Sequence, residues 1–532
     1  MRPSLHWGKY LPLGLVVLLV AGPLMALGGS WWAVDARLWQ HLWQTQLAEL
    51  IGNTLLLLAG VGVGVLGLGV PLAWLTARCA FPGRGFFAWA LLLPLAVPTY
   101  VLAFVVLGIF DYAGPLQSWL RALGYPGFID LRHPLMVIGV MSAVLYPYVY
   151  LLARAAFLAQ GAQLVQAARG LGCSPWQAFW QVALPAARPA ILAGLSLALM
   201  EALADFGAVS IFGFNTFTTA IYKSWFGLFS LATAAQLATL LLLFVGGVLV
   251  LTRMLRAATR EAGRTAPHRA PPVSLSAGVG WLAFGFCAVI FALTVLLPVA
   301  QLLLWAWPSL STGLTPAFAA LVGRTFALGA FAALGVVGVA CALAATATSS
   351  PHRATAMLGE FATLGYALPG SVLAVGIMLV LAAFDWWYAG GAPMLLGSLA
   401  GLLYAYLVRF LRPAHGAVQA GLARAHRHHL EVAALLGASP WRRFWRVRLP
   451  LILPGVLTAL LLVFVDVIKE MPATLLLRPF GWDTLATKLY ELTAEGHWQR
   501  AASSALALIG VSLGPVLLLI RSSSGDRGTA AQ

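Results

Sequence analysis

The sequence predicts an all-α polytopic membrane protein of about twelve transmembrane helices, arranged as two homologous six-helix halves. Three observations carry that class: composition, the spacing of apolar runs, and a polar segment that occurs twice. Hydrophobic residues make up 61% of the 532 positions and charged residues only 9%, with a mean hydropathy of +0.89. So few charges cannot cover a water-soluble surface. Apolar runs of roughly 18–25 residues, long enough to cross a bilayer as helix, recur along the chain. The alternating ten-residue segments of a membrane β-barrel are absent. The third observation is QAARGLGCSPWQAFWQVALP (Gln166–Pro185), which returns as EVAALLGASPWRRFWRVRLP (Glu431–Pro450), 265 positions later.

Taken in order, the spans fall near 10–28, 52–76, 86–109, 135–155, 189–213, 232–252, 279–304, 325–348, 358–384, 394–411, 453–476 and 501–520. The first, with Arg2 and Lys9 before it, resembles a secretory signal. Its length and the eleven spans after it favour an uncleaved helix. The polar, Pro-rich stretch after Thr252 is a linker. The expected units are therefore a first half at 1–252 with its loop at 166–185, a linker at 253–278, and a second half at 279–532 with its loop at 431–450.

Further repeats agree with the halves. Pro98-Thr-Tyr-Val-Leu-Ala103 returns as Pro369-Gly-Ser-Val-Leu-Ala374, Thr54 returns as Thr325, and Tyr146/Tyr148 resemble Tyr404/Tyr406. With both loops on one side of the membrane, the halves are parallel repeats about an axis along the membrane normal.

The net charge of +16 follows topology, which argues against nucleic acid as a partner. With the N-terminus inside, 23 of the 32 Lys and Arg fall in inner loops, Arg409 and Arg412 counted among them. Both termini and both repeated loops are then cytoplasmic. Cys79, Cys173, Cys287 and Cys341 show no metal-ligand spacing and no disulfide pattern. His426, His428 and His429 read as a solvated basic helix face. No G-x-x-x-x-G-K-[ST] occurs, so phosphates are not cradled by that route, and no hydrolytic triad or metalloprotease motif is present. The chain is not expected to be an enzyme.

Within the repeated loop, Gly172 and Gly437 allow a sharp turn before the Trp-bearing segment. Pro185, Pro189, Pro450 and Pro454 are expected to stop or kink the chain where it re-enters the membrane. Trp176, Trp180, Trp441 and Trp445, with Phe179 and Phe444, are large amphipathic or apolar contacts suited to an interface. This motif resembles the EAA loop of permease subunits in binding-protein-dependent ABC importers. The resemblance implies a short coupling helix seated on an ATPase subunit, and two such loops imply a cytoplasmic ATPase dimer as partner. It also implies no cofactor on this chain, with ATP and Mg held by the ATPase. Gln166 stands where the second copy has Glu431, so a weaker first contact is expected. Arg442, Arg443, Arg446 and Arg448 stand where the first copy has Gln177, Ala178, Gln181 and Ala183; the second contact should be the more salt-sensitive.

Sixteen positions past each distal Pro stand Glu201 and Asp466, and four further on stand Asp205 and Glu470. On a continuous helix each pair shares one face. An acid inside a membrane helix costs roughly 2.5–3.5 kcal/mol, so it usually faces a cavity or a partner. Four carboxylates around one pathway suit a hard cation. The competing reading is structural: Lys469 neutralises Asp466 or Glu470, and the first pair caps a broken helix. The strings EALADFGAVSIFGFNTFTTAIYKSWF and KEMPATLLLRPFGWDTLATKLYELTAEG resemble ferric-iron permeases of bacterial importers. That resemblance implies a bacterial inner-membrane protein that takes Fe3+ from a periplasmic ferric-binding protein and holds it transiently at Glu201, Asp205, Asp466 and Glu470. The alternatives are another solute (thiamine, an anion or a polyamine) on the same machinery, or an ion-coupled secondary transporter.

Overall fold

The computed structural model describes residues 11–125, 132–160, 168, 170–257, 273–309, 315–349, 353–424, 432–433 and 435–525. Gln166, Glu431 and the His426–His429 group lie outside the described residues, as does most of the linker. Among the described residues, twelve helices overlap the predicted spans. The first half holds α1 (Leu11–Gly29), α2 (Leu47–Arg78), α3 (Thr99–Phe110), α4 (Pro134–Ala159), α5 (Leu184–Ala204) and α6 (Leu231–Ala257). The second holds α7 (Ala277–Ala306), α8 (Pro316–Ser349), α9 (Gly370–Ala389), α10 (Leu399–Arg424), α11 (Leu449–Lys469) and α12 (Trp498–Gly525). Among the described residues ten helices are long and apolar enough to cross a membrane; α10 and α12 carry more polar residues. The only sheet pairing among the described residues joins Cys79–Ala80, after α2, to Val273–Ser274, at the end of the linker.

The halves are not packed separately. Helix α1 lies on the second half: Tyr404 Oη donates to Leu19 O at 2.6 Å, and Gly376 backs onto Pro23. Reciprocally, Trp305 of α7 packs at a tilt against Phe104 of α3, with ring centroids 5.4 Å apart, and Cys287 is buried in the core of the first half. Each half thus lends its first helix to the other.

Four predicted spans are broken, for identifiable reasons. The spans at 86–109 and 358–384 each divide at a proline. Short 3-10 turns, Leu93–Ala96 and Leu364–Ala367, precede Pro98 and Pro369. The residues before the prolines, Val97 and Leu368, are extended (ψ 116° and 129°), because a following Pro disfavours helical backbone. The spans at 189–213 and 453–476 end at Ala204 and Lys469. Short helices Gly207–Ile211 and Pro472–Leu477 follow. Pro472 supplies no N–H to continue α11. Gly207 is packed so tightly that a Cβ would lie 2.6 Å from that of Tyr100.

The prolines at 185 and 450 were expected to stop or kink the chain. It does not stop there but stays helical through a π turn, one of the usual sites of a kink. Phe179–Ala183 and Phe444–Arg448 are each followed by Leu-Pro, and Leu184 N–H bonds to Phe179 O, five residues back. The wider turn absorbs the donor that proline lacks. The same arrangement recurs at Ala292–Leu296 before Leu297-Pro298.

Candidate functional site

Two sites emerge, both duplicated between the halves. The first is the pair of Trp-bearing turns. In each copy, Gly ends the preceding helix in a left-handed conformation, φ +91° at Gly172 and +77° at Gly437. The next N–H reaches back five residues, Cys173 to Ala168 O and Ala438 to Ala433 O, both at 3.0 Å. Ser then caps the following helix and Pro occupies its first position. In the first copy Ser174 and Gln177 cap reciprocally, at 2.8 and 3.2 Å. G-x-S-P is therefore a local stop-and-start code.

That code turns the tryptophans outward. Trp176 and Trp441 are 68% and 70% exposed, and Trp180 and Trp445 pack edge-on against them while remaining half exposed. Leu171 and Leu436 beside the turns are exposed as well. Two such apolar patches on a polar turn mark an interaction surface. Phe179 departs from expectation: its ring lies 4.9 Å from Trp74 and 6.4 Å from Phe157, inside the bundle, so it roots the turn rather than facing outward. The side chain of Phe444 lies outside the described residues. The arginines are also divided. Ala178 and Ala183 face inward in the first copy; in the second, Arg443 is part-buried, Arg442 and Arg446 are exposed, and the side chain of Arg448 lies outside the described residues.

The second site is a cavity of about 570 Å³ between the halves. Matching pieces of each half line it: the turns before α3 and α9, the middles of α4 and α10, and the ends of α5 and α11 with the breaks beyond them. Helix α5 comes close to α4 because Gly194 has no side chain; a Cβ there would sit 2.7 Å from Tyr148 O. Gly455 does the same for α11 against Ala417 O of α10.

All four predicted carboxylates line this cavity, but they do not act as two equivalent i,i+4 pairs on helix faces. Asp205 lies just past the end of α5, accepts from Ala208 N–H at 2.8 Å, and takes a hydrogen bond from Thr99 Oγ1. Glu470 lies just past α11, accepts from Ala473 N–H at 3.1 Å, and pairs with Arg409 at 2.9 Å. Each caps the short helix after the break. The capping half of the structural reading therefore holds for Asp205 and, in the second half, for Glu470. Glu201 and Asp466 remain on the last turns of α5 and α11. Glu201 touches Tyr366 Oη at 3.4 Å, and Asp466 makes no hydrogen bond among the described residues. No three of His, Cys, Asp and Glu come together as a metal-ligand group among the described residues. The four carboxylates are thus not one ligand set, because two of them are spent on the backbone.

The cavity also holds two cations. Arg409, assigned from sequence to an inner loop, sits within α10 and bonds Leu368 O at 3.2 Å besides Glu470. Its place inside the predicted 394–411 span was the available signal. Lys469 makes no ion pair with Glu470, and the carboxylate whose charge it feels most is Asp466, as the structural reading allowed; its Nζ crosses to Leu95 O of the first half at 2.6 Å, and Tyr100 Oη donates back to Lys469 O at 3.3 Å. Tyr100, Tyr148 and Tyr366 complete the polar wall; Tyr100 and Tyr148 had been noticed, each as part of a repeat, and Tyr366 had not.

A polytopic helical chain with two copies of one permease unit around a central polar cavity is a membrane transport component. The chain belongs to the binding-protein-dependent transport system inner membrane component family, which matches residues 69–260 and again 335–523. It is 32% identical over 487 residues to the Fe(3+)-transport system permease protein FbpB 2 of Haemophilus influenzae, spanning 90% of both chains. It is also 29% identical over 200 residues to the sulfate transport system permease protein CysT of Escherichia coli, covering 37% of this chain and 68% of that one. The molybdenum transport system permease protein ModB of Escherichia coli is 32% identical over 177 residues, covering 32% of this chain and 72% of that one. The protein is therefore a multi-pass inner-membrane permease of a binding-protein-dependent ABC importer.

Proposed function

We propose that this permease carries ferric iron, delivered by a periplasmic binding protein, through the cavity between its halves. Import is driven by a cytoplasmic ATPase dimer seated on the two Trp-bearing turns, with both termini of the permease on the same side as those turns. ATP and Mg belong to the ATPase; this chain carries no cofactor of its own. The observation that carries the reading is the relation to the Fe(3+) permease, which runs through both fused halves, whereas the sulfate and molybdenum relatives match about a third of the chain. Cavity chemistry supports it: Glu201 and Asp466 line the cavity with hard carboxylate oxygens and, unlike Asp205 and Glu470, do not cap a helix.

An oxyanion is the second reading, favoured by Arg409 and Lys469 in the cavity. Both cations are already engaged, Arg409 with Glu470 and Lys469 with the Leu95 carbonyl, which makes them poor anion donors. The test is radioiron uptake by cells lacking the gene and by the same cells complemented with it, with sulfate and molybdate run in parallel. Iron uptake restored alone supports the reading. Restoration of an oxyanion without iron would replace it.

A further inference from the structure

Lys469 is the last residue of α11, inside an apolar span, where an ammonium is costly to hold and usually marks function. The fold does not require a cation there: the matching position of the first half, 265 residues earlier, is Ala204. What Lys469 does is join the halves. Its Nζ donates to Leu95 O, in the turn before α3, at 2.6 Å, and its own carbonyl accepts from Tyr100 Oη, on the first turn of α3, at 3.3 Å. Side chain and backbone of one residue are thus both tied to the other half. Beside this tie stand Phe206 and Met471, each directly after a capping acid. Both are almost completely buried, and they share one backbone conformation (φ −111°, ψ −37° and φ −105°, ψ −49°). Each packs on the opposite half. The Phe206 ring centroid lies 5.4 Å from that of Tyr490, whose hydroxyl is 3.0 Å from Ser210 Oγ. Met471 lies against Gly207, where a Cβ would sit 2.7 Å from its Cε. Both line the cavity and belong to one apolar cluster that continues into α3 and α7. Helices α5 and α11 each run 21 residues from the Trp-bearing turns, about 30 Å of helix, so the crossed pair closes the cavity on the side away from those turns.

We propose that Phe206 and Met471 are the plug of an outer gate and that Lys469 is the latch that holds it shut by bridging the halves. Opening parts α3 from the end of α11, which breaks both bonds of Lys469 and draws Phe206 away from Tyr490. Two directional bonds on an otherwise apolar seam fix one closed register, because a buried polar group that loses its partner is penalised far more than an apolar contact that slides. The proposal rests on the orientation given above, with the Trp-bearing turns cytoplasmic, and is independent of which solute is carried.

The test uses the full-length permease in membrane vesicles of known sidedness, with Cys79, Cys173, Cys287 and Cys341 replaced by Ala and Met200→Cys as a reporter in the cavity wall. A small membrane-impermeant methanethiosulfonate should label the reporter slowly from the outer side in this parent. Labelling should be at least tenfold faster in Phe206→Ala and in Lys469→Met, which keeps the side chain's length and deletes the ammonium, at equal membrane abundance. Tyr100→Phe deletes only the returning bond and keeps its ring in place, so it should also label faster, with little risk to folding. The decisive variant is Lys469→Met/Asp466→Asn. As a latch, Lys469 leaves this double variant at least tenfold faster than the parent. A double variant back at the parent's rate would mean that Lys469 only balances the charge of Asp466, and would overturn the latch. Lys469→Met and Tyr100→Phe both at the parent's rate would overturn it as well, and a parent labelled as fast as Phe206→Ala would overturn the gate. A separate Trp441→Cys reporter, labelled only from the cytoplasmic side, checks the orientation on its own, so a wrong orientation and a failed latch are told apart.

Discussion

The two acids of the first half should separate cleanly, one into transport and one into stability. Asp205 accepts two hydrogen bonds, from Thr99 Oγ1 and from Ala208 N–H, and caps the helix Gly207–Ile211. Asp205→Ala removes a cap worth about 0.5–2 kcal/mol and a bond to a charged acceptor worth about 1.5–3 kcal/mol, for a combined loss of about 2–5 kcal/mol. Glu201 makes one long contact, to Tyr366 at 3.4 Å, and Glu201→Gln keeps its shape. Its effect on stability should stay within about 0.5 kcal/mol. If Glu201 contacts the cargo, however, losing one charge-assisted contact of about 1.5–3 kcal/mol costs roughly one to two decades in affinity, at 1.4 kcal/mol per decade. The assay measures each variant twice: thermal denaturation of the detergent-solubilised protein, and radioiron uptake normalised to membrane abundance. Asp205→Ala should denature several degrees early, whereas Glu201→Gln should denature with the parent and lose uptake at least tenfold. The division is wrong if Glu201→Gln transports normally, or if Asp205→Ala is as stable as the parent and loses only transport.

Three other outcomes follow from named contacts. A Cβ at Gly370 would lie 2.4 Å from Glu470 Oε1 and 2.8 Å from an Arg409 nitrogen. Gly370→Ala should therefore part a buried ion pair, whose disruption typically costs about 3–5 kcal/mol, and reduce the yield of monodisperse protein; Gly335→Ala, with open space at its Cβ, should leave yield unchanged. At the second Trp-bearing turn Arg442 and Arg446 are exposed where the first copy has Gln177 and Gln181. ATPase pull-down with the first turn disabled (Trp176→Ala/Trp180→Ala) should weaken with salt more steeply than with the second disabled (Trp441→Ala/Trp445→Ala), and equal slopes would remove the asymmetry. Phe229 is the one non-glycine residue with positive φ among the described residues, at +51°, and it is exposed; the matching turn of the second half puts Gly496 in that conformation. Phe229→Gly should release about 1–2 kcal/mol of backbone strain and raise the denaturation temperature; a fall would mean that its ring makes contacts worth more than the strain.

Much of this protein was legible from sequence because its local chemistry is self-contained. Apolar runs report their solvent directly, since each span must satisfy its own backbone inside lipid. The G-x-S-P turn is equally local: glycine ends one helix, serine and proline begin the next, and the tryptophans turn outward as a result. The i,i+4 reading of Glu201–Asp205 and Asp466–Glu470 failed because it assumed continuous helices. Whether a helix ends at Asp205 depends on Tyr100 and Met471 packing against Gly207, and those contacts come from distant parts of the chain. The same holds for Phe179, whose inward turn is decided by Trp74 and Phe157. Arg409 was visible as a charge within a span, but its partner Glu470 is 61 positions away and is brought to it only by the crossing of α10 and α11. Sequence by itself determined the membrane class, the duplication and the position of the two Trp-bearing turns and of the four acids. Tertiary structure alone decided that all four acids line one cavity and that two of them cap helices, because burial and hydrogen-bond partners belong to the packed halves and not to either segment.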